Sequence, residues 1–428
     1  MPPRRILISA FSVSPIRGSE SGVGWHLCSR LGQYHHLTVL YSPITHGEPH
    51  QTELESHLRS HGPPPNVTFH PVQPPTLMRL SERLQFHRHA RPLFYLGYHA
   101  WQRHARDQAL RLLQQQPFHL IHQLNMIGYR EPGSLYDLGL PFIWGPVGGA
   151  PNLPWAFFPA LSFRARAFYT FRNLSNSLQM RLSSRPKKAA RAASIVFAST
   201  PENQHMISHL WNVPAQLLLE TGTSPHPQSQ PHHYNPARPL RVCWSGLHEG
   251  RKLLPILLHA LASPPLADRI DLLILGQGPE TPRWKHLAQS LNLSQRIQWL
   301  GKLPHDLAIS QMAQSDLLAF TGIQEGTPHV VLEALSLGLP VICHDSCGMG
   351  IAVTSNCGIK IPVRDIPTSI RGFTHALSQF LTSPSLLFNL SAASLRRSDE
   401  LSWDRKALEL ATLYDRLLAT PRHPINNK

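Results

Sequence analysis

Acidic residues are scarce in this chain. Over 428 residues, 25 aspartates and glutamates face 40 lysines and arginines, a formal charge of +15. Cysteine is scarce too. The five present (Cys28, Cys243, Cys343, Cys347 and Cys357) are odd in number and make no C-x-x-C pair, so neither a disulfide framework nor a zinc site is indicated, and a reducing cytoplasm suits them. No apolar run approaches the ~20 residues needed to span a bilayer. The short run at 6–8, behind Arg4 and Arg5, is too brief for the core of a signal peptide and leads into a glycine-rich loop, so it reads as a first buried strand. The sequence shows no clustered metal-ligand spacing and no repeat of domain-building length.

What is there suits a large α/β protein. Hydrophobic residues make up 42% of the chain, ample for cores, and the length favours two domains. Strand-like runs at 6–11, 37–41, 67–72, 120–123, 142–144 and 195–198 alternate with helical stretches, the pattern of a parallel sheet wound with helices. Residues 223–239 hold five prolines among Ser, Gln and His and read as a linker. The alternation restarts at 240–244, 271–275, 297–300, 317–319, 340–343 and 358–361. The expected organisation is a doubly wound domain over 1–222, the linker, and a second such domain over 240–400, with ligands beyond the carboxyl ends of the strands.

The positive charge asks for an anionic partner. It concentrates in 79–111, where seven arginines interleave with Phe86, Phe94, Tyr95, Tyr98 and Trp101, and in 164–191, where Arg164, Arg166, Arg172, Arg181, Arg185, Lys187 and Lys188 follow Trp155, Phe157 and Phe158 with no acid among them. Such segments suit an anionic membrane surface. They equally suit solvated helix faces whose aromatics pack inward. No nucleic-acid recognition motif accompanies the charge.

The most informative stretch is 324–338, QEGTPHVVLEALSLG, with Glu325 and Glu333 eight positions apart around a helix start. Thr327 is expected as N-cap, Pro328 as the first helical residue and Gly338 as the C-terminal stop. The amides of His329 and Val330 then point out of a positive dipole end that favours a diphosphate. Glu333, roughly 9 Å along the axis and leaning back, reaches a ribose beside it, and Glu325 on the loop reaches sugar hydroxyls. An ordinary amphipathic helix with Val331, Leu332 and Leu335 packed and both glutamates solvated fits the same residues.

The run EGTPHVVLEALSLGLPVI resembles, without a gap, the E-x7-E signature of family-4 retaining glycosyltransferases of the GT-B fold. The resemblance implies two Rossmann-like domains facing a cleft. Glu325 then contacts the donor sugar and Glu333 the ribose, while Gly326, Thr327, Pro328, His329 and Val330 line the diphosphate. GSESGVGW, with Gly18, Gly22 and Gly24, is similar to the acceptor and phosphate loop of polysaccharide-assembly members. Gly246 opens a loop whose Arg251 and Lys252 would neutralise the departing diphosphate; the family's G-R-L arginine is Leu247 here, and Arg251 stands in for it. His122 at a strand end would touch the donor sugar, Gly276 and Gly301 lie near the nucleotide, and 401–428 is the helix that crosses back to the first domain.

As a whole the resemblance implies retaining transfer from a UDP-linked sugar to a glycan or lipid-linked acceptor of cell-surface polysaccharide synthesis, at the inner face of the cytoplasmic membrane. The nucleotide sugar is a substrate; no cofactor, metal or nucleic-acid partner is expected, since a helix dipole and cations can replace a divalent ion. Two rivals stand beside it: a catalytically inactive GT-B scaffold, suggested by Leu247, and a basic nucleic-acid-binding protein, suggested by the charge.

Overall fold

The computed structural model describes residues 2–45, 48–84, 91–224, 226, 229–266 and 268–419, excluding the side chains of 81–84, 91–93 and 265. Parts of the expected segments therefore lie outside the described residues: 85–90 of the first basic stretch with Phe86, three linker positions, and 420–428 of the C-terminal segment.

Two all-parallel sheets form the frame. The first contains β1 (Arg5–Ala10), β2 (His36–Tyr41), β3 (Val67–Pro71), β4 (Leu120–Asn125), β5 (Phe142–Val147), β6 (Ile195–Ala198) and β7 (Gln216–Leu217), in the order β3-β2-β1-β4-β5-β6-β7. The second contains β8 (Leu240–Ser245), β9 (Ile270–Leu275), β10 (Ile297–Gly301), β11 (Leu317–Phe320), β12 (Val341–His344) and β13 (Gly358–Ile361), in the order β10-β9-β8-β11-β12-β13. Every strand except β7 overlaps a run expected from the sequence. The two exposed residues of β7, at a sheet edge, carry no periodic signal. The central strands are buried on both faces, as in β4 and β5, because helices cover each side of a parallel sheet. In both sheets the strand order reverses between the first and fourth strands, β1 with β4 and β8 with β11, and ligands of such sheets bind at that crevice.

The last helix, Trp403–Ala419, packs on the first sheet together with the Ser19–Leu31 helix. Trp403, Leu410 and Tyr414 join Ile8, Leu27 and Val39 in one core, and Asp404 pairs with Arg30 at 2.9 Å. Residues near 151–169 do the converse. Leu153, Phe157, Leu161 and Tyr169 belong to the first half of the chain but are buried in the core of the second domain, among Trp244, Leu254 and Phe373. The packing boundary is therefore not the chain boundary at 222. Hydrogen bonds tie the halves further: Ser162 Oγ donates to Glu280 Oε1 (2.6 Å), Arg283 Nη1 to Ala160 O (2.9 Å), Gln324 Nε2 to Pro151 O (2.8 Å) and Cys347 N to Glu202 Oε1 (2.9 Å).

In the first basic segment three of the aromatic residues pack inward, while Tyr95 is 46% exposed. Phe94, Tyr98 and Trp101 are buried around Phe11, whose ring centroid lies 4.6 Å from that of Tyr98 and 4.8 Å from that of Trp101. No helix among the described residues is long and apolar enough to cross a membrane.

Candidate functional site

At the end of β8 the chain turns through Gly246 into the short turn Gly250–Lys252, and Leu253 then takes a left-handed conformation (φ +49°). This bend aims two cations at the loop after β11. Lys252 Nζ lies 2.8 Å and Arg251 Nη1 2.5 Å from Glu325 Oε1. Arg251 also donates to Gln324 O (2.9 Å) and, through Nε, to Glu249 Oε2 (3.0 Å). Lys252 lies 4.8 Å over the Phe320 ring. Burial lowers the Lys252 pKa, with Glu325 opposing it. For Arg251 burial also works against the charge, but Glu325 and Glu249 prevail and the pKa is raised. Two cations thus converge on Glu325 at the strand ends, with Glu249 on the other side of Arg251, a charge-balanced floor whose cations become available to a polyanion as it displaces the carboxylates.

Three glycines shape that floor. Gly276 has φ +108°, and a Cβ there would lie 2.0 Å from Gly246 O, so no other residue fits. Its N–H donates to Gly301 O at 2.7 Å, and the Gly246 N–H donates to Leu275 O at 3.1 Å. The structure therefore brings Gly246, Gly276 and Gly301 together at the ends of β8, β9 and β10.

The helix after β11 runs His329–Ser336, and its cap is Pro328 rather than Thr327. Thr327 is otherwise engaged. Its N–H donates to Glu220 Oε1, and its hydroxyl donates to Glu220 Oε2 at 2.9 Å. The Thr327 hydroxyl thus donates to a buried carboxylate instead of accepting from a first-turn amide, a charge-assisted bond that explains the departure from the expected cap. At Gly326 a Cβ would lie 2.1 Å from Glu220 Oε1, so any side chain there would push that carboxylate away from Thr327. His329 and Val330 occupy the first turn, whose amides have no acceptor within the helix. The His329 ring, its pKa lowered by burial, lies 3.4 Å from Thr221 Oγ1. Glu333 does not share the Glu325 cluster. Its Oε1 is 3.1 Å from His305 Nε2, and that hydrogen bond is the main reason the His305 pKa rises to about 8.

Across the interface Gly18 caps the Ser19–Leu31 helix with open space around it. Gly22 and Gly24 are packing requirements: a Cβ would meet Arg17 O at 2.6 Å in the first case and Ser12 O at 2.3 Å in the second. Between this helix start and the Pro328 turn lies a cavity of about 100 Å3, lined by Ser19, Glu20, Asn125, Glu220, Thr327 and His329 among others. Asn125, at the end of β4, is locked by bonds from its Nδ2 to Ser12 O (2.9 Å) and Glu20 O (3.0 Å).

His122 is absent from this group. Its side chain is wholly buried on the face of β4 covered by the last helix, with Nδ1 2.5 Å from the Tyr414 hydroxyl and Nε2 2.7 Å from Gly145 O. Burial lowers its pKa to about 4. Both ring nitrogens are used by the core, so the expected contact with a donor sugar is withdrawn. Arg172 moves the other way. Expected on a basic surface, it is half-buried and donates to Pro151 O (3.2 Å), and its pKa is lowered by burial and then by Arg130 and Arg251. Glu220, Glu20 and Asn125 were not singled out by the sequence. Glu220 follows three leucines near a strand end, and only that isolated acid after an apolar run could have drawn notice.

Residues 235–391 match the family model described as Glycosyl transferases group 1. The D-inositol 3-phosphate glycosyltransferase of Corynebacterium glutamicum (strain R) is 25% identical over 36% of this chain and 37% of its own length. The lipopolysaccharide glucosyltransferase WaaG of Escherichia coli K12 is 33% identical over 26% of this chain and 30% of its own. The chain thus covers about a third of these curated relatives. Two solved structures align over nearly the whole chain. Sucrose-phosphate synthase from Thermosynechococcus elongatus gives a TM-score of 0.59 at 16% identity over 97% of this chain and 99% of that one. Anabaena HepE in complex with UDP gives 0.56 at 15% over 96% and 100%. The chain therefore has the GT-B fold of paired doubly wound sheets, and its residues 235–391 are similar to the group 1 glycosyl transferases.

Proposed function

We propose that this protein is a retaining glycosyltransferase that moves a sugar from a nucleotide diphosphate, UDP by preference, to a glycan or lipid-linked acceptor of cell-surface polysaccharide synthesis on the cytoplasmic side of the membrane. The observation that carries this reading is the convergence of Arg251, Lys252 and Glu325 beside the first turn of the His329–Ser336 helix. In HepE a UDP is bound by a chain of the same fold, which supports the nucleotide.

The residues divide the chemistry. The His329 and Val330 amides and the two cations take the diphosphate, where negative charge grows as the bond from sugar C1 to the phosphate oxygen breaks. The acceptor oxygen bonds to C1 on the same face, and its proton passes to the departing phosphate. Glu325, relieved of part of its hold on Arg251 and Lys252, accepts from sugar hydroxyls; Glu333 accepts from the ribose once it exchanges His305. Charge stabilisation in this scheme comes from the side chains and the helix start, with no metal assigned.

Leu247, 56% exposed where the family pattern has arginine, favours the inactive-scaffold reading. Arg251 beside Lys252 answers it with a second cation at the same loop. A thermal-shift screen of nucleotide sugars tests the proposal. At a hundredfold excess over Kd the right donor adds about 2.7 kcal/mol, a rise of about 3 °C for a chain of this length. Absence of any shift with uridine, guanosine and adenosine diphosphate sugars, or a shift without turnover on any acceptor, counts against it.

A further inference from the structure

The helix Phe163–Leu182 has a buried side and an exposed apolar side. At roughly 100° per residue, Tyr169, Asn173, Asn176 and Met180 gather on one arc, and all four are buried. This side does the folding work: Asn173 Nδ2 donates to Leu153 O (2.8 Å), Asn176 Nδ2 donates to Ala150 O (2.9 Å), and Tyr169 enters the core of the second domain. On the opposite arc Phe163 (85% exposed), Phe171 (75%), Leu174 (61%), Leu178 (58%) and Leu182 (71%) face outward. They form a stripe about 28 Å long at 1.5 Å per residue.

One buried face suffices for a surface helix, and a contiguous exposed stripe of this size signals an interaction surface. Its electrostatics choose the occupant. From 163 to 194 the sequence holds no aspartate or glutamate, and Arg164, Arg181, Lys188 and Arg191 are exposed along or just beyond the helix. A second copy bringing the same face would set like charges opposite one another. An anionic bilayer satisfies both features: acyl chains receive the Phe and Leu side chains, and headgroup phosphates receive the cations, whose long stems reach back to the interface.

We propose that the Phe163–Leu182 helix lies in the headgroup layer of an anionic phospholipid bilayer with this stripe inserted. The proposal deepens the transferase reading and rests on it for its consequence at the cleft. Leu161, Ala165 and Tyr169 pack within 4 Å of the position a Cβ would take at Gly250, next to Arg251. A docked helix, about 10 Å thick, would hold those cations within one helix diameter of the lipid, in reach of a lipid-linked acceptor.

Co-sedimentation of the full chain with phosphatidylglycerol–phosphatidylcholine vesicles, and with phosphatidylcholine alone, tests this. Binding should need the anionic lipid and weaken with salt. Changing Phe171→Ser, Leu174→Ser and Leu178→Ser together should weaken it at least about tenfold, and Arg164→Gln with Arg181→Gln should do so comparably. Unchanged melting temperatures verify the fold, and the UDP-induced shift, read on the same samples, should persist in both variants. Its loss in the wild type strikes the donor reading and leaves the lipid result standing. The lipid proposal is overturned if the wild type stays in the supernatant, if the triple serine variant binds as tightly as wild type, or if the stripe proves to hold a dimer that the triple variant splits.

Discussion

Replacing Glu325 by glutamine tests the central cluster, because it removes one charge and almost no volume. In the wild type a single carboxylate oxygen faces Lys252 Nζ at 2.8 Å and Arg251 Nη1 at 2.5 Å, and the side chains of Glu325 and Lys252 are each 9% exposed. Breaking a buried ion pair from one side costs about 3–5 kcal/mol. Arg251 retains Glu249 and the Gln324 carbonyl, so the cost here falls to about 2–3 kcal/mol. With an unfolding entropy of about 2.1 cal/mol/K per residue, the melting temperature should drop by about 2–3 °C. UDP should then act in the opposite sense. In the wild type the diphosphate competes with Glu325 for the cations, whereas in Glu325→Gln it supplies their missing counter-charge. The UDP-induced rise in melting temperature should exceed that of the wild type by about 1–2 °C, while sugar transfer falls by about two orders of magnitude or more. Differential scanning fluorimetry with and without UDP, beside steady-state turnover, reads both quantities. A UDP response equal to or smaller than the wild type's would show that the diphosphate does not lie on Arg251 and Lys252.

Other perturbations separate the remaining roles. Lys252→Met should lower turnover about 10²–10³-fold with a melting temperature within about 2 °C of wild type, since Arg251 keeps Glu325 paired; activity near wild type would remove Lys252 from the leaving-group site. His122→Asn should cost about 2–4 kcal/mol through the lost contacts with Tyr414 and Gly145, yet leave turnover per folded molecule unchanged; a hundredfold loss in a folded variant would return His122 to the chemistry. Acid should destabilise the protein in a defined window. His122, His248 and His344 are buried neutral, with pKa values lowered to about 4 chiefly by burial. For a histidine whose folded value lies below its unfolded value of about 6.5, the stability is present above that value and lost as the pH falls toward 4, up to about 3 kcal/mol each. Urea midpoints should therefore decline from pH 7 to pH 5, and a flat profile would contradict the burial of these rings as neutral species.

The strands, their grouping into two sheets and the glycine turns at their ends were legible from the sequence. These features depend on neighbours in the chain: apolar runs of strand length, proline and glycine at fixed offsets, and a short carboxylate-flanked helix start. The position of Gly276 between β9 and the next helix follows from such local signals, although only the structure shows the Gly246 carbonyl that forbids a Cβ there.

Contacts between distant residues were decided by the tertiary structure alone. Glu220 meets Thr327 across 107 positions, and Tyr414 takes His122 across 292. No periodicity encodes such meetings, because a side chain's partner depends on which face of its element is covered and by what. The same reason divides the aromatic and basic segments. The sequence determined that 79–111 and 164–191 would be rich in arginine and aromatic residues, but the packing turned Phe94, Tyr98 and Trp101 into core, set Arg172 against the Pro151 carbonyl, and left Phe163, Phe171 and Leu174 facing outward. Composition and local pattern fix what a segment can form; the direction each side chain faces is settled only when the two sheets and their helices compete for the same apolar surface.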